Sequence, residues 1–325
     1  MKKFWHSTLT TTLLYVASTS AFANSGTFLS GVGHAQYTQN ITKNTAGTLL
    51  VEGGPRNSRA SGTFGWAITP CDRIKGTAEW LWQDINYEFT SGNAIQGSNQ
   101  GAVGLAYQRD FNSEYRDNLN LSAYYSHALS VNLRNRSILP VSVGTDFLLV
   151  NNFRHIAGSN VGGAGVGYTT HPWQDTEITV TANWDGVSYE KQYMNKLYIN
   201  GVGGTGSLSQ LFQIKNQLFK AGTTVAWRAP FNSYQLELDW IRPCATSQLL
   251  IGVFGYYIQG KHDLPNTSLA GLNLTFVLDR AATRKDTTLR PFMDWMTSPA
   301  INMPQVLSVP DEALAQRLFF VPPTT

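Results

Sequence analysis

From about residue 27 onward, apolar and polar side chains alternate one for one. The clearest stretch is 118–129: Leu119, Leu121, Ala123 and Tyr125 fall on one phase, Asn118, Asn120, Ser122 and Ser126 on the other. Alternate side chains of a strand point to opposite faces, so such a stretch has one apolar and one mostly polar face. The pattern recurs at 177–185, where Ile178, Val180, Ala182 and Trp184 alternate with Thr179, Thr181, Asn183 and Asp185. It recurs again at 234–242 and at 271–279. Residues 75–89 alternate too, but their apolar phase shifts from Trp80 and Trp82 to Ile85, Tyr87 and Phe89, which predicts a bulge near Gln83-Asp84. Residues 100–111 and 160–169 read as further strands, and 248–259 is apolar on both phases.

The connections between these segments alternate in length. Pro70 to Arg73, 112–117, 171–176 and 243–247 are short and rich in turn residues, whereas 90–98, 130–159, 190–206 and 260–267 are longer and polar. Strand, short turn, strand, long loop is the order of an up-and-down meander. Strands are expected near 27–38, 60–69, 74–89, 99–111, 117–129, 160–170, 176–189, 206–214, 221–228, 233–242, 247–260 and 267–279. That makes about twelve, with ten as the second choice. An even number would bring both ends of the wall to one rim.

Residues 1–23 read as an export leader. Lys2 and Lys3 precede a short apolar stretch, and Ala21-Phe22-Ala23 offers a small-x-small cleavage site. No later run is long enough for a membrane helix. Together with the alternating segments of about ten residues and the asymmetric loops, these features resemble the Gram-negative outer-membrane β-barrel class. Gly271-x-x-Leu274-x-Phe276 resembles part of the terminal signal read by the outer-membrane assembly machinery, although Leu269 stands where that signal has a polar residue and about 45 residues follow. The resemblance implies an all-β, antiparallel transmembrane β-barrel over 24–280 in the bacterial outer membrane, with outer-membrane lipid and lipopolysaccharide as surroundings. A soluble β-sandwich is the competing fold, but it would need a partner sheet to cover Trp80, Trp82, Trp184, Trp227 and Trp240.

Composition narrows the function. Charged residues make up only 14% of the chain and aromatic residues 12%. The net charge is +3, and Lys2 and Lys3 leave with the leader. No basic excess is left to bind nucleic acid. Gly201-x-Gly203-x-x-Gly206 matches a dinucleotide motif by letters only, because no helix opens after it. No serine-hydrolase elbow or metal motif occurs, and no cofactor or metal is expected. Some twelve-strand outer-membrane barrels are hydrolases, yet Ser126 and His127 are neighbours on one strand and point opposite ways. An enzyme is therefore the weakest of three readings. The first is a passive pore for small polar solutes or ions. The second is a closed structural or surface-recognition barrel acting through its loops.

If the polar phases line a lumen, Lys75, Glu79, Asp84, Glu88, Asp185, Arg228, Glu237 and Asp239 are its charged candidates. They carry an acidic excess that would favour cations unless the charges pair across the wall. Gly163, Gly165 and Gly167 on that phase suggest close approach by a loop or plug. The loop 130–159, with Arg134, Arg136, Arg154 and His155, either folds inward, meets anionic lipopolysaccharide, or forms an outer hairpin of 139–143 with 147–151. Cys71 and Cys244 each follow proline in a short turn and could form a disulfide. A twelve-strand ring sets those turns four positions apart, beyond the ~7 Å a disulfide spans. Residues 281–325 lose the alternation and are proline-rich. They read as a periplasmic C-terminal tail, either disordered or loosely docked, or else a periplasmic plug or partner-binding segment with Phe292, Trp295, Phe319 and Phe320 as anchors, and with a short helix over 311–320.

Overall fold

The computed structural model describes residues 23–24, 27–89, 92–111, 117–134, 153–173, 175–190, 198–243, 247–261, 264–278, 295–298, 300–301 and 306–310. Seventeen strands lie among them. After the short β1 (Ala23–Asn24) come β2 (Thr27–Asn40), β3 (Thr45–Gly54), β4 (Asn57–Ala67), β5 (Asp72–Phe89), β6 (Gly92–Asp110) and β7 (Asn118–Ala128). A small pair follows, β8 (Val131–Arg134) and β9 (Phe153–Ala157). The chain continues through β10 (Ser159–Trp173), β11 (Thr176–Tyr189), β12 (Tyr198–Ile214), β13 (Gln217–Trp227), β14 (Phe231–Pro243), β15 (Ser247–Gly260) and β16 (Thr267–Leu278), and the tail adds β17 (Val309–Pro310).

Thirteen of these strands close a barrel: β2 to β7 and β10 to β16. Neighbours are antiparallel except at the seam, where β16 pairs with β2 in parallel from Ser268–Leu29 to Leu278–Gln39. The all-β barrel expected from the alternation is therefore present, with one more strand than expected. The additional strand is β3. Its outward phase holds Gly47, Leu49, Val51 and Gly53 and its inward phase Ala46, Thr48, Leu50 and Glu52. Two glycines on the apolar side and a leucine on the polar side erase the pattern that marks a strand.

The odd count changes where the ends lie. The wall begins at one rim with Thr27 and ends at the other with Leu278, because two parallel strands run the same way. The connections on the rim where the wall ends run from two to seven residues: 41–44, 68–71, 111–117, 174–175, 215–216 and 244–246. The opposite rim carries 129–158, 190–197 and 261–266 beside three tight turns. Two predicted loops shrink. β6 starts at Gly92, so 90–98 is mostly strand, and β12 starts at Tyr198, so the glycine motif at 201–206 lies in a strand rather than in a surface loop. At the short-turn rim Asp117 accepts hydrogen bonds from the Tyr168 hydroxyl (2.9 Å) and the His171 N–H (3.2 Å), which ties β7 to the end of β10. The Tyr168 bond, above all, holds the Asp117 carboxyl below the usual carboxylate range.

The two faces of the wall differ as the alternation requires. Leu49, Phe64, Trp80, Val103, Trp184 and Leu236 are among the large apolar side chains exposed on the outside. The inner face is buried in two zones. Towards the short-turn rim it is polar, with Thr48, Thr63, Lys75 and Thr77 buried. Towards the long-loop rim it is apolar: Leu81, Ile85 and Tyr87 pack with Ala128, Ile156 and Val306, and Val161, Val187, Phe231 and Ile258 pack with Ile301, Leu307 and Val309. This dry zone explains the shift of phase in β5. No bulge occurs there, since β5 pairs with β6 without interruption from Asp72–Arg109 to Phe89–Gly92. Ile85 and Tyr87 face inward because the interior itself turns apolar at that level.

The turn between β12 and β13 is a two-residue hairpin in which Lys215 and Asn216 have φ of 47° and 64°. Asparagine tolerates that conformation, whereas lysine pays a steric cost of about 1 kcal/mol. Lys215→Asn is expected to raise the unfolding free energy in micelles by a few tenths to about 1 kcal/mol, measured by urea titration. A decrease would show that the turn is not strained at Lys215.

Candidate functional site in the lumen

A thirteen-strand barrel falls between two regimes. Eight strands leave a space that wall side chains fill, and sixteen to eighteen leave an aqueous channel. Here the extra space is taken up by the chain itself. From the long-loop rim, β9 turns Ile156 and Ala157, both fully buried, into the dry zone. The described tail residues lie against the inner wall, Trp295 to Ser298 towards the short-turn rim and Val306 to Pro310 towards the long-loop rim, where β17 pairs with β9, Val309 opposite Ala157 and Pro310 opposite Ile156. The described part of the tail thus lies inside the wall. Of the two expectations for this segment, a loose tail and a plug, the position of these residues agrees with the plug. Of the expected anchors, Trp295 docks beside Ala46, Val277 and Met296. Phe292, Phe319, Phe320 and the helix expected over 311–320 lie outside the described residues.

Met296, Ile301, Val306, Leu307 and Val309 are fully buried, each worth about 2 kcal/mol of apolar transfer. Ordering the chain costs about 1–2 kcal/mol per residue. Burial of these five side chains does not offset that cost by itself, so polar anchors are needed to hold the tail. Lys75 Nζ donates to the carbonyls of Trp295 (2.6 Å) and Ser298 and to Ser298 Oγ (3.1 Å), and lies 4.3 Å above the Trp295 ring. Gln36 donates to Thr297 O (2.7 Å) and Thr48 to Met296 O (2.9 Å). Further along, Thr77 Oγ1 accepts from Ala300 N–H (3.0 Å) and Gln100 from Leu307 N–H (2.9 Å), and Ser159 donates to Leu307 O. Gly104 leaves room for Ile301: a Cβ there would stand 2.5 Å from Ile301 Cγ1.

The predicted lumen charges separate into several groups. Lys75 faces inward and holds the tail. Glu79 pairs with Arg59 at 2.6 Å, and Glu237 with Lys220 at 3.3 Å. Asp239 is buried and accepts from Asn273 at 3.0 Å. Asp185 is fully buried against Arg228, whose Nε donates to its Oδ2 at 3.0 Å. Asp84 falls on the outward phase of β5, because the bulge that would have turned it inward is absent. The Glu88 side chain lies outside the described residues. Sequence reasoning missed Glu52, which accepts from Asn57 at 2.9 Å, and the cations Arg59, Arg73 and Lys220. With them, most of the expected acidic excess is matched by cations of the wall, and the paired reading of these charges describes the geometry.

The row of inner glycines on β10 makes room for neighbours in the wall rather than for a plug. Gly163 pairs with Tyr124 on one side and Asp185 on the other. A Cβ at Gly163 would stand 2.4 Å from the Tyr124 ring, so its absence lets Tyr124 lie across β10 and donate to Asp185. Arg228 completes the triad by donating to the Tyr124 hydroxyl at 2.9 Å. Gly165 and Gly167 likewise clear Asn183 and Thr181. On β7, Ser126 faces inward and His127 outward beside Asn160, at 3.0 Å, so the two do not form a nucleophile–base pair. Cys71 is exposed in the short turn before β5. Cys244 lies outside the described residues, and β3, β2 and β16 stand between the strand pairs that bracket the two cysteines. The hairpin expected over 139–151 also lies outside the described residues. A separate apolar groove of about 940 Å³ runs over the outer wall, where Gly47, Gly62 and Gly76 lie between Leu49, Phe64 and Leu105, away from the polar lumen.

No protein-family model matches the chain, and neither does any curated protein. A solved structure, the ferric-catecholate import receptor Fiu from E. coli K12 in an open form, is similar over 74% of this chain and 45% of that one, at 11% identity and a TM-score of 0.32. The chain thus spans less than half the length of that receptor.

Removing one partner of a buried ion pair leaves the other uncompensated, at about 3–5 kcal/mol. Arg228→Met is expected to lower stability in micelles by about that much, and Tyr124→Phe by about 1–2 kcal/mol. Combining Arg228→Met with Asp185→Asn should recover part of the loss. A double variant as unstable as the sum of its singles would rule out a coupled pair.

Proposed function

We propose that this protein is an outer-membrane β-barrel whose lumen is a passage for small polar solutes or ions, shut by the protein's own C-terminal segment. The observation that carries this reading is that the described tail residues 295–298, 300–301 and 306–310 lie inside the wall, hydrogen-bonded to polar side chains of its inner face. The leader at 1–23 and the exposed apolar side chains around the wall support export and embedding in lipid. By the habit of such barrels, the short-turn rim faces the periplasm and the long-loop rim the cell surface. The dry layer of Leu81, Ile85, Val187 and Phe231 with Val306 and Leu307 closes the surface end, because an apolar constriction excludes ions.

A permanently open pore fits this geometry less well than one that opens when the tail leaves. The second reading is a closed barrel acting only at its surface, and the inward-turned β9 with the long connection 129–158 favours it. Conductance separates the two. The full-length protein in planar bilayers is expected to show no steady current. Ile301→Asp combined with Leu307→Asp, which places two carboxylates in the dry layer, is expected to give long-lived openings. A silent variant that still migrates as a folded barrel would favour the closed reading, and a steady current from the full-length protein would show that the tail does not shut the lumen.

Orientation has its own test. In a Cys244→Ser background, an impermeant maleimide should label Cys71 only after the outer membrane is breached. Labelling on intact cells would place the short-turn rim at the surface.

A further inference from the structure

The tail lies on the wall in a regular way. Lys75 meets Ser298, Thr77 meets Ala300 and Gln83 meets Val306, each pair 223 residues apart in sequence. A constant offset means that these tail residues advance along the barrel at the same rise per residue as β5. The described residues Ser298, Ala300 and Val306 therefore run in the same direction as β5 and keep pace with it. At the far end Tyr87 meets Ser308, and β17 continues the extended course by pairing with β9.

The wall also addresses the tail through its main chain. Gln36, Thr48, Lys75 and Ser159 bind tail carbonyls, and Thr77 and Gln100 bind tail N–H groups. Elsewhere on the inner face, neighbouring wall residues bond side chain to side chain, as in Thr169 with Thr179 and Asn183 with Thr205. The tail's own side chains add two hydroxyls, Ser298 at Lys75 and Ser308 at Tyr87, and apolar groups in separate sockets: Met296 with Ala46 and Val277, Ile301 at Gly104, and Val306 with Leu81 and Ile85. Main-chain hydrogen bonds with side-chain sockets are how a protein binds an extended peptide of variable sequence. Main-chain groups are common to every polypeptide, and the sockets ask only for apolar residues at intervals.

From this the geometry points to a peptide-binding track along β5. In addition to the protein's own tail, the track takes an extended segment of another polypeptide with apolar residues at the spacing of Met296, Ile301 and Leu307. The inference rests on the reading of the lumen as a passage shut by the tail, and it names the class of ligand that would take the tail's place. In the resting protein the tethered tail competes at an effective concentration of roughly millimolar, so an outside peptide gains entry only when the tail is weakened or pulled away.

The test weakens the tail and leaves the track intact. Full-length Ile301→Asp/Leu307→Asp protein, checked for heat-modifiable migration, is titrated with three fluorescein-labelled peptides and read by polarisation. The first has the sequence of residues 295–310. The second keeps the residues at positions 296, 301, 306, 307 and 309 and scrambles the rest. The third is N-methylated at positions 300 and 307, which removes the two N–H groups bound by Thr77 and Gln100. The first two are expected to bind within tenfold of each other and at least a hundredfold more tightly than to the unsubstituted protein. The third should bind at least tenfold more weakly than the first. Binding of the first peptide alone would overturn the inference, because the site would then be fitted only to its own tail. No binding by any peptide, or equal binding by the third, would overturn it as well. Conductance of the same variant keeps the two proposals apart: long-lived openings without peptide binding would leave the passage standing and remove the track.

Discussion

Thirteen strands can close a ring only if one neighbouring pair runs parallel, and the rest of this structure depends on that constraint. The parallel seam of β2 and β16 forces the wall to begin at one rim and end at the other. The residues after Leu278 therefore start at the short-turn rim, beneath the full height of the lumen. The same count sets a width that wall side chains cannot fill. The tail is in position to fill it, and its polar anchors and apolar side chains match the two zones of the inner wall in order. Lys75, Gln36 and Thr48 meet the first turn of the tail near its entry, and the dry layer receives Val306, Leu307 and Val309 at the far end.

The interior charges follow a second logic. Taking an ion out of water costs several kcal/mol unless a partner comes with it. Arg59 with Glu79, Arg73 with Asp110, Lys220 with Glu237 and Arg228 with Asp185 meet that condition within the wall. Among the described residues Lys75 is met by the tail, through the carbonyls of Trp295 and Ser298 and the Ser298 hydroxyl. The wall is thus self-sufficient almost everywhere, and at Lys75 it depends on the segment that fills it. A tail that left would expose this cation to the lumen, where water would have to replace the carbonyls.

Much of the barrel was legible in the sequence, because alternation follows directly from a wall with one exposed apolar face and one towards a polar interior. It failed where that premise fails. β3 was missed because Leu50 faces inward and Gly47 and Gly53 face outward. The change of phase in β5 was read as a bulge because the interior is dry beside Ile85 and Tyr87. The missed cations share one cause: Arg59, Arg73 and Lys220 each precede by one residue the point where a strand was predicted to start. Near a strand end, a charge looks the same whether it belongs to a turn or lines the lumen. The course of the tail could not be read from periodicity, since a segment surrounded by wall on all sides has no face to alternate. Its apolar residues and its lack of a solvated composition were the only signals.

The central claim is that the tail runs through the lumen, and a cross-link tests it most directly. In a Cys71→Ser/Cys244→Ser background, Ile301→Cys is paired either with Gly104→Cys on the inner face of β6 or with Gly101→Cys on its outer face. A Cβ at position 104 would stand 2.5 Å from the Ile301 side chain, whereas one at position 101 has nothing within 4 Å. The account predicts a disulfide from position 104 and none from position 101 in the membrane-embedded, heat-modifiable protein. No bond from 104, or equal bonding from both, would place the tail outside the barrel and contradict the account.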